Sequence, residues 1–583
     1  MEFKVLAETY EKLEATRGRL EMMAILSELF KKSDPREIDK IVYLSQGVVA
    51  PPFEGIEVGL GEKFVEEAIS VATGYSRKRV EEVYRKTGDL GKTAEELLSS
   101  KQQMSLFSQS LSVQKVFDNF MKLAKTGGAG SQKMKIKGLV ELLNNSTPKE
   151  ARYITRFPVG KLRLGIGDPT ILDALSAYKA GDKSLREELE RAYNLCSDLG
   201  LVARTLFVDG IDAIRKFRIK VFNPVRPALA ERLPSAEEII EKIGKCAVER
   251  KYDGFRMEVH KQGDKVEIFS RRLERMTQMF PEIVSGVKKQ VKAKEAILEG
   301  EALAFNEVAG EYYPFQITMQ RKRKYNVKEK AEEYPLKLFA FDVLYADGED
   351  YTPHPYHERR KRLEKLIGAG DVIKLSEMIV TDTAKKLEEF FEESIEKGME
   401  GIVAKDLNAP YVAGARKFAW IKLKRSYKGE LADTVDLVVV GYFLGKGMRA
   451  KFKFGGLLCA VYDEKEDIFR TVAKIGSGFS EEQMRQLEEM LGKIKVDHKL
   501  ARVDSGIKPD FWVDLKYVVA VAADEITRSP THTAGKGKGD SGYALRFPRM
   551  MELREDKSPE EATTVQEIIE MYKMQKRIQL EET

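Results

Sequence analysis

Residues 249–256 read ERKYDGFR. They close an apolar run and precede a stretch in which Met257 and Val259 alternate with polar neighbours, a Gln-Gly-Asp turn spans 262–264, and Val266 and Ile268 resume the alternation. Period-two alternation on both sides of a glycine-containing turn is the mark of a β-hairpin. Lys251 therefore falls where a strand turns, a place from which its amine can project into a cleft. Lysine, aspartate and glycine in K-x-D-G spacing arise by chance in about one chain in six of this length at ordinary residue frequencies, and a lysine in a turn is usually solvated. The weight of the motif has to come from its surroundings.

Outward from this point the texture changes. Up to about residue 220, apolar residues recur every three or four positions, as in Leu20, Met23, Ala24 and Leu26, or Phe64, Val65, Ala68, Ile69 and Ala72. That spacing predicts helices. From 225 to 425, strand-like runs at 296–305, 336–345 and 401–405 are separated by charged helical segments such as KKLEEFFEES. After 430, VDLVVVGYF, FGGLLCAVYD and DIFRTVAKI read as short strands broken by glycines, the pattern of a small barrel, and TTVQEIIEMYKMQKRI closes the chain as a helix. The expected architecture is multidomain α and β: an all-α domain over 1–222, a central α+β domain over 223–425, and a β-barrel with a C-terminal helix over 426–583. The Pro-rich NPVRPALAERLPS (223–235) reads as the linker into the central domain.

A chain of 583 residues, 43% apolar and 33% charged, has ample core and is no disordered tail. Its three cysteines, Cys196, Cys246 and Cys459, lie too far apart for a zinc cage or a disulfide framework, which fits a reducing compartment. The N-terminus is charged from its second residue and has no secretory apolar core, so a soluble, cytoplasmic protein without membrane contact is expected. Net charge is +6 on 99 basic and 93 acidic residues, so local clustering must identify any polyanionic partner. Two glycine patterns mislead. Gly537, Gly539 and Gly542 spell G-x-G-x-x-G, but an extended YALRFPR follows instead of a helix, and GYFLGKG (441–447) is one spacer short of a P-loop and lacks its Ser or Thr.

The central region supplies better candidates. FAWIKLKR (418–425) alternates so that Ala419, Ile421 and Leu423 share one face and Trp420, Lys422 and Lys424 the other. Edge-strand lysines that guard against aggregation would look the same, but Arg271, Arg272 and Lys405 also flank strands of this region. Glu301 and Glu400 each end a strand beside a glycine, Gly300 and Gly401. Two carboxylates converging among cations suit a hard divalent metal on a polyphosphate.

Seven segments in order, ERKYDGFR, SRRLERMT (270–277), LEGEALAF (298–305), LFAFDVLY (338–345), EGIVAK (400–405), WIKLKRSY (420–427) and LRFPRMMELREDK (545–557), resemble the nucleotidyltransferase motifs of ATP-dependent DNA ligases. The helical region carries YITRFPVGKLRLGIGD (153–168), similar to the DNA-encircling domain of the archaeal and eukaryotic replicative type. NAD-dependent ligases need a four-cysteine zinc module that three cysteines cannot build. The resemblance implies an OB-fold for the barrel, ATP as substrate with Mg2+ (or Mn2+), and nicked duplex DNA as partner. It implies Lys251 as the nucleophile that becomes adenylylated, Glu249 reading the adenine amino group, and Phe341 stacking on the base. Arg271 with Glu301 would hold the ribose or metal-linked groups, Glu301 and Glu400 the metal, and Lys422 and Lys424 the α-phosphate. Arg256 and Arg416 join the nucleotide-binding set, and Arg546 and Arg549 would orient the pyrophosphate.

The same resemblance assigns Arg156, Lys161 and Arg163 to DNA phosphates, contacts that position a duplex without reading it. It also likens KQQMSLFSQSL (101–111) to the box with which archaeal ligases engage a sliding clamp, through Gln103, Leu106 and Phe107. Gln109 and Ser110 stand where that box has paired aromatics. A monomer is natural with such a partner. Three steps are implied: adenylate onto lysine, its transfer to a DNA 5′-phosphate, and attack by the 3′-hydroxyl. An ordinary lysine, with a pKa near 10.4, is mostly protonated at neutral pH; neighbouring cations and burial are expected to release the amine. Competing readings are a capping-type or RNA-joining nucleotidyltransferase, set aside on the helical domain and on RFPR in place of R-x-D-K, and a catalytically silent DNA-binding scaffold.

Overall fold

The computed structural model describes the chain except for residues 17, 101–109, 129, 307–310, 314–317, 319, 323–325, 398, 425–433, 446–453, 538–540 and 582–583. Gln103, Leu106 and Phe107 thus lie outside the described residues, as does nearly all of the connection 426–434. The N-terminal region is helical from Phe3–Ala15 to Ile211–Arg215. Local sequence starts and aims these helices. Val113–Lys125 is capped by Ser112 and buries Val113, Val116, Phe117, Phe120 and Leu123, one stripe at three- and four-residue spacing. Pro148–Arg156 begins in a Thr147/Glu150 capping box with proline in its first turn. One apolar core joins these helices. No helix among the described residues is long and apolar enough to cross a membrane.

The central domain is built from two sheets. Its main strands in chain order are β1 (Leu229–Arg232), β2 (Cys246–Lys251), β3 (Phe255–Gln262), β4 (Lys265–Ser270), β5 (Glu295–Asn306), β6 (Leu336–Ala346), β7 (Met378–Thr381), β8 (Gly401–Asp406) and β9 (Arg416–Lys424). One sheet runs β1-β9-β8-β2-β7; the other contains β4-β3-β5-β6. The hairpin read from the sequence is β3–β4, in register from Met257 opposite Ser270 to Gln262 opposite Lys265. Because successive side chains alternate, Cys246, Val248, Ile402, Ala404, Ile421 and Leu423 bury one face of the first sheet against Ile239, Leu387 and Phe390 of two helices. The opposite face carries Glu249, Lys251, Lys405, Trp420, Lys422 and Lys424. In the second sheet Met257, Val259, Leu298 and Ala340 pack on Ile283 and Val287 of Pro281–Gln290, leaving Arg256, Glu258, Glu299 and Glu301 on the other face. The two polar faces approach each other, and the cleft opens between them.

The C-terminal domain is β-rich and mostly antiparallel, its central strands Val435–Phe443, Gly456–Asp463 and Ile468–Ile475 paired in sequence order. Its chain then returns through Arg549–Leu553 and ends in the helix Val565–Glu581, whose Ile568 and Met571 join the domain's core. The segment between these two elements lies over the mouth of the central cleft.

Candidate active site

Lys251 ends β2 directly opposite Gly401 of β8, and Gly401 in turn faces Lys424 of β9. A side chain at 401 could not exist here: its Cβ would stand 2.1 Å from the Leu423 carbonyl oxygen, at a φ of +152°. The preceding Glu400 is therefore brought against both lysines. Its backbone N–H donates to the Lys251 carbonyl at 3.0 Å, and its carboxylate accepts from the ammonium groups of Lys251 and Lys424. The glycine of the K-x-D-G motif has an equally direct cause, since a Cβ on Gly254 would lie 2.4 Å from the Ala302 carbonyl oxygen of β5. The motif thus marks the place where β5 packs against the turn that follows Lys251.

These groups line a cavity of about 250 Å³. At one end Glu249, 3% exposed, accepts from the Tyr356 hydroxyl and pairs with Lys405 at 3.0 Å. Phe341 lies beside it, edge-on to Trp420. Arg256 lines the wall with its donors engaged by Glu299 at 2.8 Å and the Ala228 carbonyl at 2.7 Å. Between the sheets stands Glu301, whose carboxyl burial pushes up to about 8 against the opposing pull of Lys251 and Arg256. Glu400 is half-buried, and Lys251 and Lys424 hold it well below the usual carboxylate range. Among the described residues no three carboxylate, imidazole or thiolate side chains close on one point, so a divalent ion held by Glu301 and Glu400 would complete its shell with oxygens of a substrate.

The other end is cationic, and the C-terminal domain supplies its counter-charges. Glu567 of the last helix pairs with Arg416 at 2.5 Å and Lys422 at 2.7 Å, while Glu561 pairs with Arg271 at 2.5 Å. Burial pushes the Lys422 ammonium down to about 8, with Glu567 working the other way. Arg554, Asp556 and Lys557 also line this end; Arg554 pairs with Asp556 at 2.8 Å and Lys557 with Asp436.

Two expectations are corrected. Arg546 and Arg549 do not line the cavity. Both are exposed, and Arg549 pairs with Asp524 at 2.8 Å on the domain's surface. They sit on the hairpin arm that turns away from the cleft, whereas the strand returns to it at 554–557. Those residues read R-E-D-K, so the R-x-D-K pattern is present after all and its supposed absence does not separate this chain from capping-type enzymes. The second correction is Arg156. It is 1% exposed, bonded to Asp89 at 2.6 Å and Glu14 at 2.9 Å, and an arginine sealed in this way braces the loop from beneath without reaching a phosphate. Arg163, at a left-handed φ of 59°, shares Asp89 at 2.8 Å. Lys161 pairs with Glu62.

Sequence reasoning also passed over Tyr356 and the pairing of Lys405 with Glu249. Tyr356 starts a helix 107 positions from Glu249, and no local signal connects the two.

The comparisons with known proteins agree along the whole chain. Family models match in three blocks: "DNA ligase N terminus" over 2–176, "ATP dependent DNA ligase domain" over 227–424, and "ATP dependent DNA ligase C terminal region" over 450–557. A "Probable DNA ligase" of Dictyoglomus turgidum is 51% identical over all of this chain and 99% of its own length. DNA ligases of Hyperthermus butylicus and Saccharolobus solfataricus are 47% and 45% identical, each over 100% of this chain and 99% of their own. With Lys251, its carboxylates and the cationic end gathered on one cavity, these full-length matches establish that the chain belongs to the ATP-dependent DNA ligase family.

Proposed function

We propose that this chain seals nicks in duplex DNA, using ATP. The observation that carries the reading is the meeting on one cavity of Lys251, the carboxylates Glu301 and Glu400, the cations Arg271, Lys422 and Lys424, and Arg554 and Lys557 from another domain. The aromatic end suits a purine and the cationic end its phosphates. The Lys251 amine attacks the α-phosphorus; a nitrogen–phosphorus bond forms as the bond to pyrophosphate breaks, so catalysis is mainly positioning and charge neutralisation. Arg554 and Lys557, in place of Arg546 and Arg549, are the arginine and lysine placed to hold the leaving pyrophosphate. Mg2+, with Mn2+ as its substitute, would be held by Glu301 and Glu400 and would neutralise triphosphate charge. With such a cation on Glu400, the Lys251 nitrogen would no longer be held in its ion pair and would be able to turn toward the α-phosphorus.

Glu561 and Glu567 stand where phosphate oxygens would go. The incoming triphosphate displaces them, and the C-terminal domain must then withdraw for a duplex to reach the lysyl adenylate. The adenylate passes to the DNA 5′-phosphate, and the neighbouring 3′-hydroxyl attacks that phosphorus and expels AMP. Lys161 and Arg163 remain candidates for phosphate contact, once Glu62 and Asp89 yield them. A monomer that meets a sliding clamp through Gln103, Leu106 and Phe107 belongs to the same proposal, as does the cytoplasm, where the buried unpaired Cys196, Cys246 and Cys459 stay reduced. Incubation with α-labelled ATP and Mg2+ should give a covalent protein adduct that survives denaturation and alkali and is lost in hot acid, as a nitrogen–phosphorus bond is. Lys251→Ala should lower both this labelling and nick sealing at least about a thousandfold. A labelled Lys251→Ala protein, or label taken from GTP alone, would overturn the reading.

A further inference from the structure

The base end of the cavity holds more than a carboxylate facing a purine. Both Glu249 oxygens are engaged from behind, one by the Tyr356 hydroxyl and the other by the Lys405 ammonium at 3.0 Å. Lys405 is 1% exposed. Its nitrogen lies 4.7, 4.7 and 4.3 Å from the ring centres of Phe341, Tyr356 and Trp420, and it also donates to the Phe341 carbonyl at 3.3 Å. Ring faces thus replace its water shell, and its donors point at protein acceptors. Behind it Asp342 and Arg359 satisfy each other at 2.8 Å. Arg360 stands 3.7 Å from Glu249 but is bonded to Ser376 and Glu364 at 3.0 and 2.9 Å. Lys405, at 3.0 Å, is therefore the closer of two positive charges on Glu249.

We propose that Lys405 is a positioning residue for nucleotide choice: boxed by three aromatic rings and paired with Glu249, it fixes that carboxylate with its acceptor oxygens toward the base, so the site takes a purine with an amino group at position 6 and rejects one with an oxygen there. The proposal rests on the cavity being the ATP site and deepens that reading. Adenine offers a donor at position 6, whereas a 6-oxopurine offers an acceptor. An ionised carboxylate only accepts; a protonated one also donates. Tyr356 supplies a hydrogen bond but no charge. Without Lys405, one oxygen of Glu249 would lose its charged partner and the carboxylate its fixed aim at the base. A merely structural ion pair between β2 and β8 would cost stability on removal and leave base choice untouched.

The test compares self-adenylylation from ATP and from inosine triphosphate, which has oxygen at position 6 and no 2-amino group, as a ratio of kcat/KM values. Lys405→Met should lower the ATP preference by more than about tenfold, and Lys405→Arg should keep it. An unchanged ratio in folded Lys405→Met overturns the proposal. If that variant does not fold, Lys405→Gln, which keeps the hydrogen bond without the charge, is read in the same way. Failure of both to fold while Lys405→Arg folds would confine the residue to stability and also overturn the proposal. Absence of labelling of the wild-type protein by ATP would instead sink the ATP-site reading itself.

Discussion

Two basic stretches of this chain, 156–163 in the helical domain and 416–424 on β9, look alike as strings of arginine and lysine and end in opposite situations. In the first the counter-charge comes from the same domain, and around Arg156 it is sealed from solvent. Asp89 lies between Arg156 and Arg163, and Glu14 takes the remaining face of Arg156. In the second the cations face a cavity, and their partners come from elsewhere: Glu400 from the edge of β8, and Glu567 from the last helix of another domain. A cation whose counter-ion is part of the same packed unit is architecture, because separating the pair strands a buried charge. A cation whose counter-ion sits on another domain can exchange that carboxylate for a phosphate.

Breaking the first arrangement should have the largest effect on folding. Arg156→Met leaves Asp89 to Arg163 alone and takes from Glu14 one of its partners, and should cost up to about 3–5 kcal/mol, the loss typical when one member of a buried pair is removed. Urea unfolding would show the loss; near-normal stability would mean that the network is dispensable. The second arrangement should respond in rate. Arg554→Ala or Lys557→Ala should slow self-adenylylation by about a hundredfold, the usual cost of one transition-state donor, while Arg546→Ala and Arg549→Ala change that step by no more than a few-fold. The reverse order would show that the hairpin arm, not the R-E-D-K segment, reaches the triphosphate.

The smallest effect sharpens the comparison by isolating burial without a counter-cation. Burial works to raise both Asp89 and Glu258, but Arg156 and Arg163 hold Asp89 well below the usual range, while Glu258 is pushed up to about 8. Glu258 accepts from His260 Nε2 at 2.6 Å and from the Val225 amide at 2.8 Å. The proton belongs on Nε2, because Nδ1 accepts from the Phe222 amide at 2.8 Å. Between the ordinary glutamate value and about 8 the folded chain binds the extra proton and the unfolded chain does not. The contribution of Glu258 to stability is therefore complete below that window and lost as pH rises through it, by up to about 1.4 kcal/mol per pH unit. Glu258→Gln keeps both hydrogen bonds and should flatten the slope. An identical slope in the variant would show that Glu258 is ionised throughout.

What could be read along the chain was whatever depends on near neighbours. Alternation over 418–425 placed Ile421 and Leu423 in the core and Lys422 and Lys424 on the cavity, because strand geometry leaves no other assignment. The β3–β4 hairpin followed from its turn in the same way. The segment 545–557 was found as a block, yet its two arginine-bearing ends could not be ranked without knowing which arm of the fold returns to the cleft. R-x-D-K at 554–557 was nevertheless there to be read.

Sequence by itself determined the family and the helix-then-strand layout, since these rest on motif spacing and local periodicity. Only the tertiary structure decided which charges are available. Asp89 reaches Arg156 across 67 residues, Tyr356 reaches Glu249 across 107, and Glu567 reaches Arg416 across 151. Whether a buried cation is a strut or a tool depends on which distant carboxylate shares its low-dielectric surroundings, and no local pattern along the chain records that distance.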